Sequence, residues 1–93
     1  MLSYIMNTKY AEVVTKKIIG KLFGGAISDV DVSIYGSSRS YDVVTDMHII
    51  GDNVINVSFT IRLDLDMPEY FAKVYYKNEI EQFLISENRK LEG

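Results

Sequence analysis

At ninety-three residues the chain has the length of one domain, 1–93, and a domain this short buries only about 60–65% of its unfolded surface, so its stability margin is thin. Cysteine is absent, which excludes a disulfide framework and any thiolate zinc site, and a charged share of 25% argues against disorder. The net charge of −3 hides an asymmetry: residues 1–28 set four lysines against one glutamate, whereas residues 29–66 set seven aspartates against two arginines.

The opening Met1-Leu2-Ser3-Tyr4-Ile5-Met6 has neither a basic start nor a long apolar run, so no secretion signal is read there. No stretch approaches eighteen consecutive apolar residues. The expectation is a soluble, cytoplasmic protein without a membrane segment.

Residues 8–23 read as a helix. Ala11, Val14, Ile18 and Leu22 fall on one stripe, with Lys9, Glu12, Lys16 and Lys17 on the far side and Lys21 at its edge. Asn7 or Thr8 can cap the start. Gly24-Gly25 ends the helix, because glycine takes the left-handed conformation cheaply.

Residues 29–35 alternate as a half-buried strand does, with Val30, Val32 and Ile34 on one face and Asp31, Ser33 and Tyr35 on the other. The loop Gly36-Ser37-Ser38-Arg39-Ser40 follows.

Two strands, 41–50 and 53–65, then form a hairpin whose register can be derived. The better apolar face of the first carries Tyr41, Val43, Thr45, Met47 and Ile49, and that of the second carries Ile55, Val57, Phe59, Ile61, Leu63 and Leu65. Cross-strand partners share a face. A two-residue turn would set Asp42 against Ile61 and Asp46 against Val57. A three-residue loop, Gly51-Asp52-Asn53, pairs Ile50 with Val54 instead. Ile49 then meets Ile55, Met47 meets Val57, Thr45 meets Phe59, Val43 meets Ile61 and Tyr41 meets Leu63. The other face reads His48–Asn56, Asp46–Ser58, Val44–Thr60 and Asp42–Arg62. Asn53 is expected in the left-handed position such loops use.

Asp66-Met67-Pro68-Glu69 looks like a helix start, with an acidic cap, an early proline and a glutamate in the first turn. A single helix onward meets a difficulty. Its apolar stripe centres on Phe71, Val74 and Tyr75 at first, and on Ile80, Phe83, Leu84 and Leu91 later, roughly 150° away. One solution is a strand at 70–76, favoured by its aromatic and β-branched content, with Asn78 capping a helix from Glu79. The other is one long helix with two apolar faces, one on the sheet and one on a partner. Both place a helix at 79–90. The expected fold is α+β: an antiparallel three-strand meander, with a fourth strand at 70–76 as the alternative, and an N-terminal and a C-terminal helix packed on one face.

The helix–three strands–helix order of the long-helix reading resembles that of a double-stranded RNA-binding domain, in topology only. Such domains hold phosphates with a basic cluster at the start of the last helix. Here that position reads Met67-Pro68-Glu69-Tyr70-Phe71, and phosphate binding needs concentrated positive charge. Nucleic-acid binding is thus not the favoured reading; its support is Lys9, Lys16, Lys17 and Lys21 on the first helix. Enzymatic motifs are lacking: there is no Gly-x-Ser-x-Gly elbow, and Gly20, Gly24 and Gly25 precede no Gly-Lys-Ser/Thr. His48 lies two residues from Asp46 on the outer face, but a tight metal site takes three or four ligands. No catalytic residue, metal or cofactor is assigned.

The acidic outer face of the sheet is the feature that bears on function. A wet, aspartate-bearing face is common in antiparallel sheets, yet aspartate is disfavoured in strands and clustered acids repel one another. Asp31, Tyr35, Asp42, Val44, Asp46, His48, Asp64 and Asp66 are the expected partner-binding residues, interleaved with Ile50. Such a face suits a protein partner with a basic surface, through charge complementarity and steering. Nucleic-acid-handling enzymes carry basic clefts of this kind, and small acidic proteins that block them, many from phages, are similar in size and charge balance. The expected function is a non-catalytic protein-binding module, an inhibitor or adaptor. The alternative is a homo-oligomeric structural or regulatory protein, a homodimer at its simplest.

Overall fold

The computed structural model describes residues 4–92; Met1, Leu2 and Ser3 of the opening segment and Gly93 lie outside the described residues. The elements are α1 (Thr8–Leu22), β1 (Ile27–Gly36), β2 (Ser40–Ile50), β3 (Val54–Asp64) and α2 (Glu69–Glu92). The three strands form one antiparallel sheet in the order β1-β2-β3, and the two helices cover one of its faces. Among the described residues no helix is long and apolar enough to cross a membrane.

Asn7 caps α1: its Oδ1 accepts from the backbone N–H of Lys9 at 2.8 Å and of Tyr10 at 3.3 Å, satisfying two of the donors a helix start leaves free. At the other end Gly24 and Gly25 take φ of 64° and 79°, and the Gly25 N–H closes on the Gly20 carbonyl at 2.8 Å. The buried stripe is Ala11, Thr15, Ile18 and Ile19. It is turned slightly from the expected one, so that Val14 and Leu22 sit half-buried at its edge. Thr15, on this stripe, meets the Tyr76 hydroxyl at 2.9 Å.

β1 is longer than the expected 29–35, beginning at Ile27. The β2–β3 register is the derived one at every position, from Ile50 opposite Val54 to Tyr41 opposite Leu63. The Gly51-Asp52-Asn53 loop closes with the Gly51 N–H on the Asn53 carbonyl at 3.1 Å. Asn53, however, is not left-handed, since among the described residues only Gly24 and Gly25 have positive φ. Glycine at 51 answers to space instead: a Cβ there would come within 3.3 Å of the Ala26 methyl.

Residues 70–76 are helical, so the fourth-strand alternative is not realised, and α2 runs unbroken for 24 residues. The difficulty of the two stripes is resolved by which residues go inside. Ala72, Tyr76, Ile80 and Leu84 are fully buried, an i, i+4 ridge that turns slowly about the helix. Phe71, Val74 and Tyr75 face outward. Asp66 does not cap this helix through any side-chain hydrogen bond described in the structure. The chain turns there through the Met67 N–H on the Asp64 carbonyl, and Pro68 precedes the first helical residue. Glu69 does occupy the first turn, where it favours the positive end of the dipole.

The two helices run in the same direction. The Tyr10 hydroxyl donates to the Lys73 carbonyl near their starts, and Asn88 Nδ2 donates to the Leu22 carbonyl near the end of α1. Between them the Tyr76 hydroxyl lies 2.9 Å from Thr15 Oγ1 and 2.7 Å from Thr45 Oγ1. That buried trio joins α1, α2 and the middle strand.

Candidate functional site

The outer face follows from strict alternation. With the inner residues of β1, β2 and β3 committed to the core, every second side chain projects away from the helices. The two registers align these side chains into rows across the sheet. One end is an apolar row, Ile27–Ile50–Val54, all three exposed. Next comes Asp29–His48–Asn56, then Asp31–Asp46–Ser58, then Ser33–Val44–Thr60, and then Tyr35–Asp42–Arg62.

Asp31 and Asp46 are direct cross-strand partners, an arrangement of like charges that destabilises a sheet. Asp29 extends the acidic group by one row. None of the three is in an ion pair among the described residues. They line an open, shallow depression with His48, Asn56 and Ser58, and Lys16 of α1 stands at its rim, held by Glu12 at 3.3 Å.

Asp42 differs from the other acids. Arg62 Nε donates to its Oδ1 at 3.0 Å, and Nη2 reaches Oδ2 at 3.5 Å. That hydrogen bond, with the attraction of the carboxylate, raises the Arg62 guanidinium above its ordinary value. Asp42 therefore presents a neutralised pair beside the exposed Tyr35 ring. The His48 Nδ1–H donates to Asn56 Oδ1, so the ring is held along the sheet. Among the described residues no three His, Asp or Glu side chains converge as metal ligands would.

The structure thus brings Asp31, Tyr35, Asp42, Val44, Asp46 and His48 onto one face. Asp64 continues this face one row beyond Tyr35–Asp42–Arg62, at the end of β3 opposite Ser40, about 20 Å along the strand from the Asp31–Asp46–Ser58 row. The structure does not bring Asp66 to this face. Asp66 follows in the turn, and both line a separate hollow with Ser38 and Arg39. Conversely, Asp29, Ile27 and Val54 belong to the face and were not among the expected residues. Ile27 and Asp29 both share the parity of Asp31: Asp29 already lies within the 29–35 strand, and extending the alternation two residues before it reaches Ile27. Val54 follows from its pairing with Ile50.

The helix layer has the opposite sign. Lys9 and Lys16 both lie within 4.0 Å of Glu12, and Lys73 pairs with Glu69 at 3.2 Å while lying over the Tyr10 ring. Lys17, Lys21 and Lys77 line a groove between α1 and α2, with Glu81 opposite and Val13, Val14 and Ile18 along it. The lysines of α1 are therefore divided between an ion-pair network and this groove. No family model matches the chain, and no curated protein or solved structure shows significant similarity to it.

Proposed function

We propose that the chain is a non-catalytic protein-binding module that docks the outer face of its sheet on a basic protein surface, as a small acidic inhibitor or adaptor would. The observation that carries this reading is the direct opposition of Asp31 and Asp46, with Asp29 beside them and, among the described residues, no basic side chain in an ion pair with any of the three. Like charges set directly opposite cost stability, and a basic partner surface would relieve that cost. The flanking groups fit the same use. Ile27, Ile50 and Val54 give an exposed apolar row at one end, and Tyr35 gives an exposed aromatic ring at the other, a residue type enriched at interfaces. A basic cleft of the kind that holds nucleic acid is the partner surface most complementary to this pattern.

The Asp31–Asp46 opposition makes stability and binding respond in opposite directions. Asp31→Asn or Asp46→Asn is expected to stabilise the free domain by about 0.2–1 kcal/mol, with the gain shrinking as salt is added. The triple change of Asp29, Asp31 and Asp46 to Asn is expected to weaken binding to the basic partner about tenfold or more, or ~1.4 kcal/mol, and to flatten its salt dependence. The measurement is affinity across a salt series for a partner captured on the immobilised wild-type chain, beside urea unfolding of each variant. Affinity unchanged by the triple substitution would sink the proposal.

A further inference from the structure

We propose that the outward stripe at the start of α2 is a homodimer contact, in which two copies pack Tyr70, Phe71, Val74 and Tyr75 against each other about a twofold axis. Tyr70 is 79% exposed and Phe71 58%, with Val74 and Tyr75 more than a third exposed. They are spaced i, i+1, i+4 and i+5, so they form one continuous strip, roughly opposite the Ala72–Tyr76–Ile80–Leu84 ridge that faces the core.

Three observations favour a second copy as the occupant. The first is area. Large aromatic side chains offer about 150–250 Å² each, so these four residues at their exposures present roughly 400 Å². That is within the size of the largest apolar patches on monomers, which are often functional. Paired with itself, the strip buries up to about 800 Å² before any flanking contact, the size class of a weak, reversible association. The second is charge. The four residues of the strip are uncharged; Asn78 and Gln82 continue one side of it and Lys77 and Glu81, of opposite sign, the other, so two copies of a chain of net charge −3 meet there without a block of like charge. The acidic sheet face could not self-pair in that way. The third is symmetry: one strip on one straight helix can be its own complement in an isologous contact.

The contact lies in the helix layer, away from the sheet. A dimer built on it leaves both acidic faces free and pointing outward, which would give two-site binding to a repeated or oligomeric basic target. The dimer does not depend on that use, and it stands or falls by its own test.

Sedimentation of the wild-type chain across a concentration series is expected to show a reversible dimer, with dissociation on dilution. Phe71→Glu and Val74→Glu are each expected to sediment as monomers while keeping the wild-type circular dichroism. A wild-type chain that stays monomeric up to about 1 mM, where even a weak specific contact would populate a dimer, overturns the proposal. So does a dimer that persists in both well-folded variants. Should the glutamate variants fail to fold, the cysteine-free background offers a second readout. Val74→Cys is expected to oxidise to a covalent dimer much faster than Asp46→Cys on the sheet face; equal rates overturn the proposal.

Discussion

Replacing Tyr76 by Phe is expected to destabilise the protein by about 1–3 kcal/mol, the cost of leaving buried hydroxyls without a partner. The ring would still fill its place, so the loss isolates one oxygen. That oxygen lies within hydrogen-bonding distance of both Thr15 and Thr45, and both threonines are completely buried. The two are not equal. Thr15 sits in a helix, where its hydroxyl can turn to a carbonyl of the preceding turn. Thr45 sits mid-strand on the inner face and has no such recourse, so most of the cost falls there. For a domain of this size the loss is a large fraction of total stability, and a shift in urea midpoint with unchanged slope is the measurement. A second readout follows from ionisation. Burial, acting against the two hydroxyl contacts, raises Tyr76 above its ordinary value of 10.0. A raised folded value means that the unfolded chain loses its proton first. The stability this group contributes is whole below pH 10 and is lost as the pH climbs through the folded value. Tyr41 and Tyr10 are raised as well, chiefly by burial, so the wild type should weaken on the alkaline side. Tyr76→Phe should show a shallower alkaline decline than wild type, because one of the responsible groups is gone.

How far the sequence discloses this architecture depends on what each segment can be checked against. The hairpin is legible because two alternating strands constrain each other: a two-residue turn sets Asp42 against Ile61 and Asp46 against Val57, and the three-residue loop keeps the apolar faces together. The outer face is legible for the same reason; Ile27 escapes because the readable alternation starts at residue 29, whereas Asp29 lies within it and shares the parity of Asp31. Asp64 continues the face by parity as the row beyond Arg62, whereas Asp66 lies past the end of β3, where strand parity no longer applies. The first half of α2 is not legible from apolar content. Counting large apolar residues selects Phe71, Val74 and Tyr75, whereas the fold buries Ala72 and Tyr76. Alanine is small enough to let helix and neighbours approach, and the tyrosine is chosen for its hydroxyl as much as its ring. A trace of this is present in the sequence. Thr45 lies on the inner face of its strand and Thr15 beside the apolar stripe of α1, and two threonines in such places require a polar partner.

The same reversal sets a contrast on α2 that tests the fold and the role of the exposed strip together. Ile80→Ala is expected to cost about 2–5 kcal/mol, the range for truncating a buried aliphatic side chain whose surroundings relax only partly. Ile80 is completely buried and lies in the ridge between Tyr76 and Leu84. Phe71→Ala removes more atoms from the same helix, yet in the monomer it is expected to change stability by no more than about 0.5 kcal/mol, as surface substitutions do. Denaturant unfolding at high dilution, where dimers have dissociated, measures both. Comparable losses at the two positions would mean that α2 is rotated from the orientation described. With the expected outcome, Phe71 contributes little to the fold of its own chain. In the dimer proposed above, that ring is buried by the second copy instead. Repeating the two measurements at high concentration should bring out a stability difference between wild type and Phe71→Ala that dilution removes, while the Ile80→Ala deficit should persist at both concentrations.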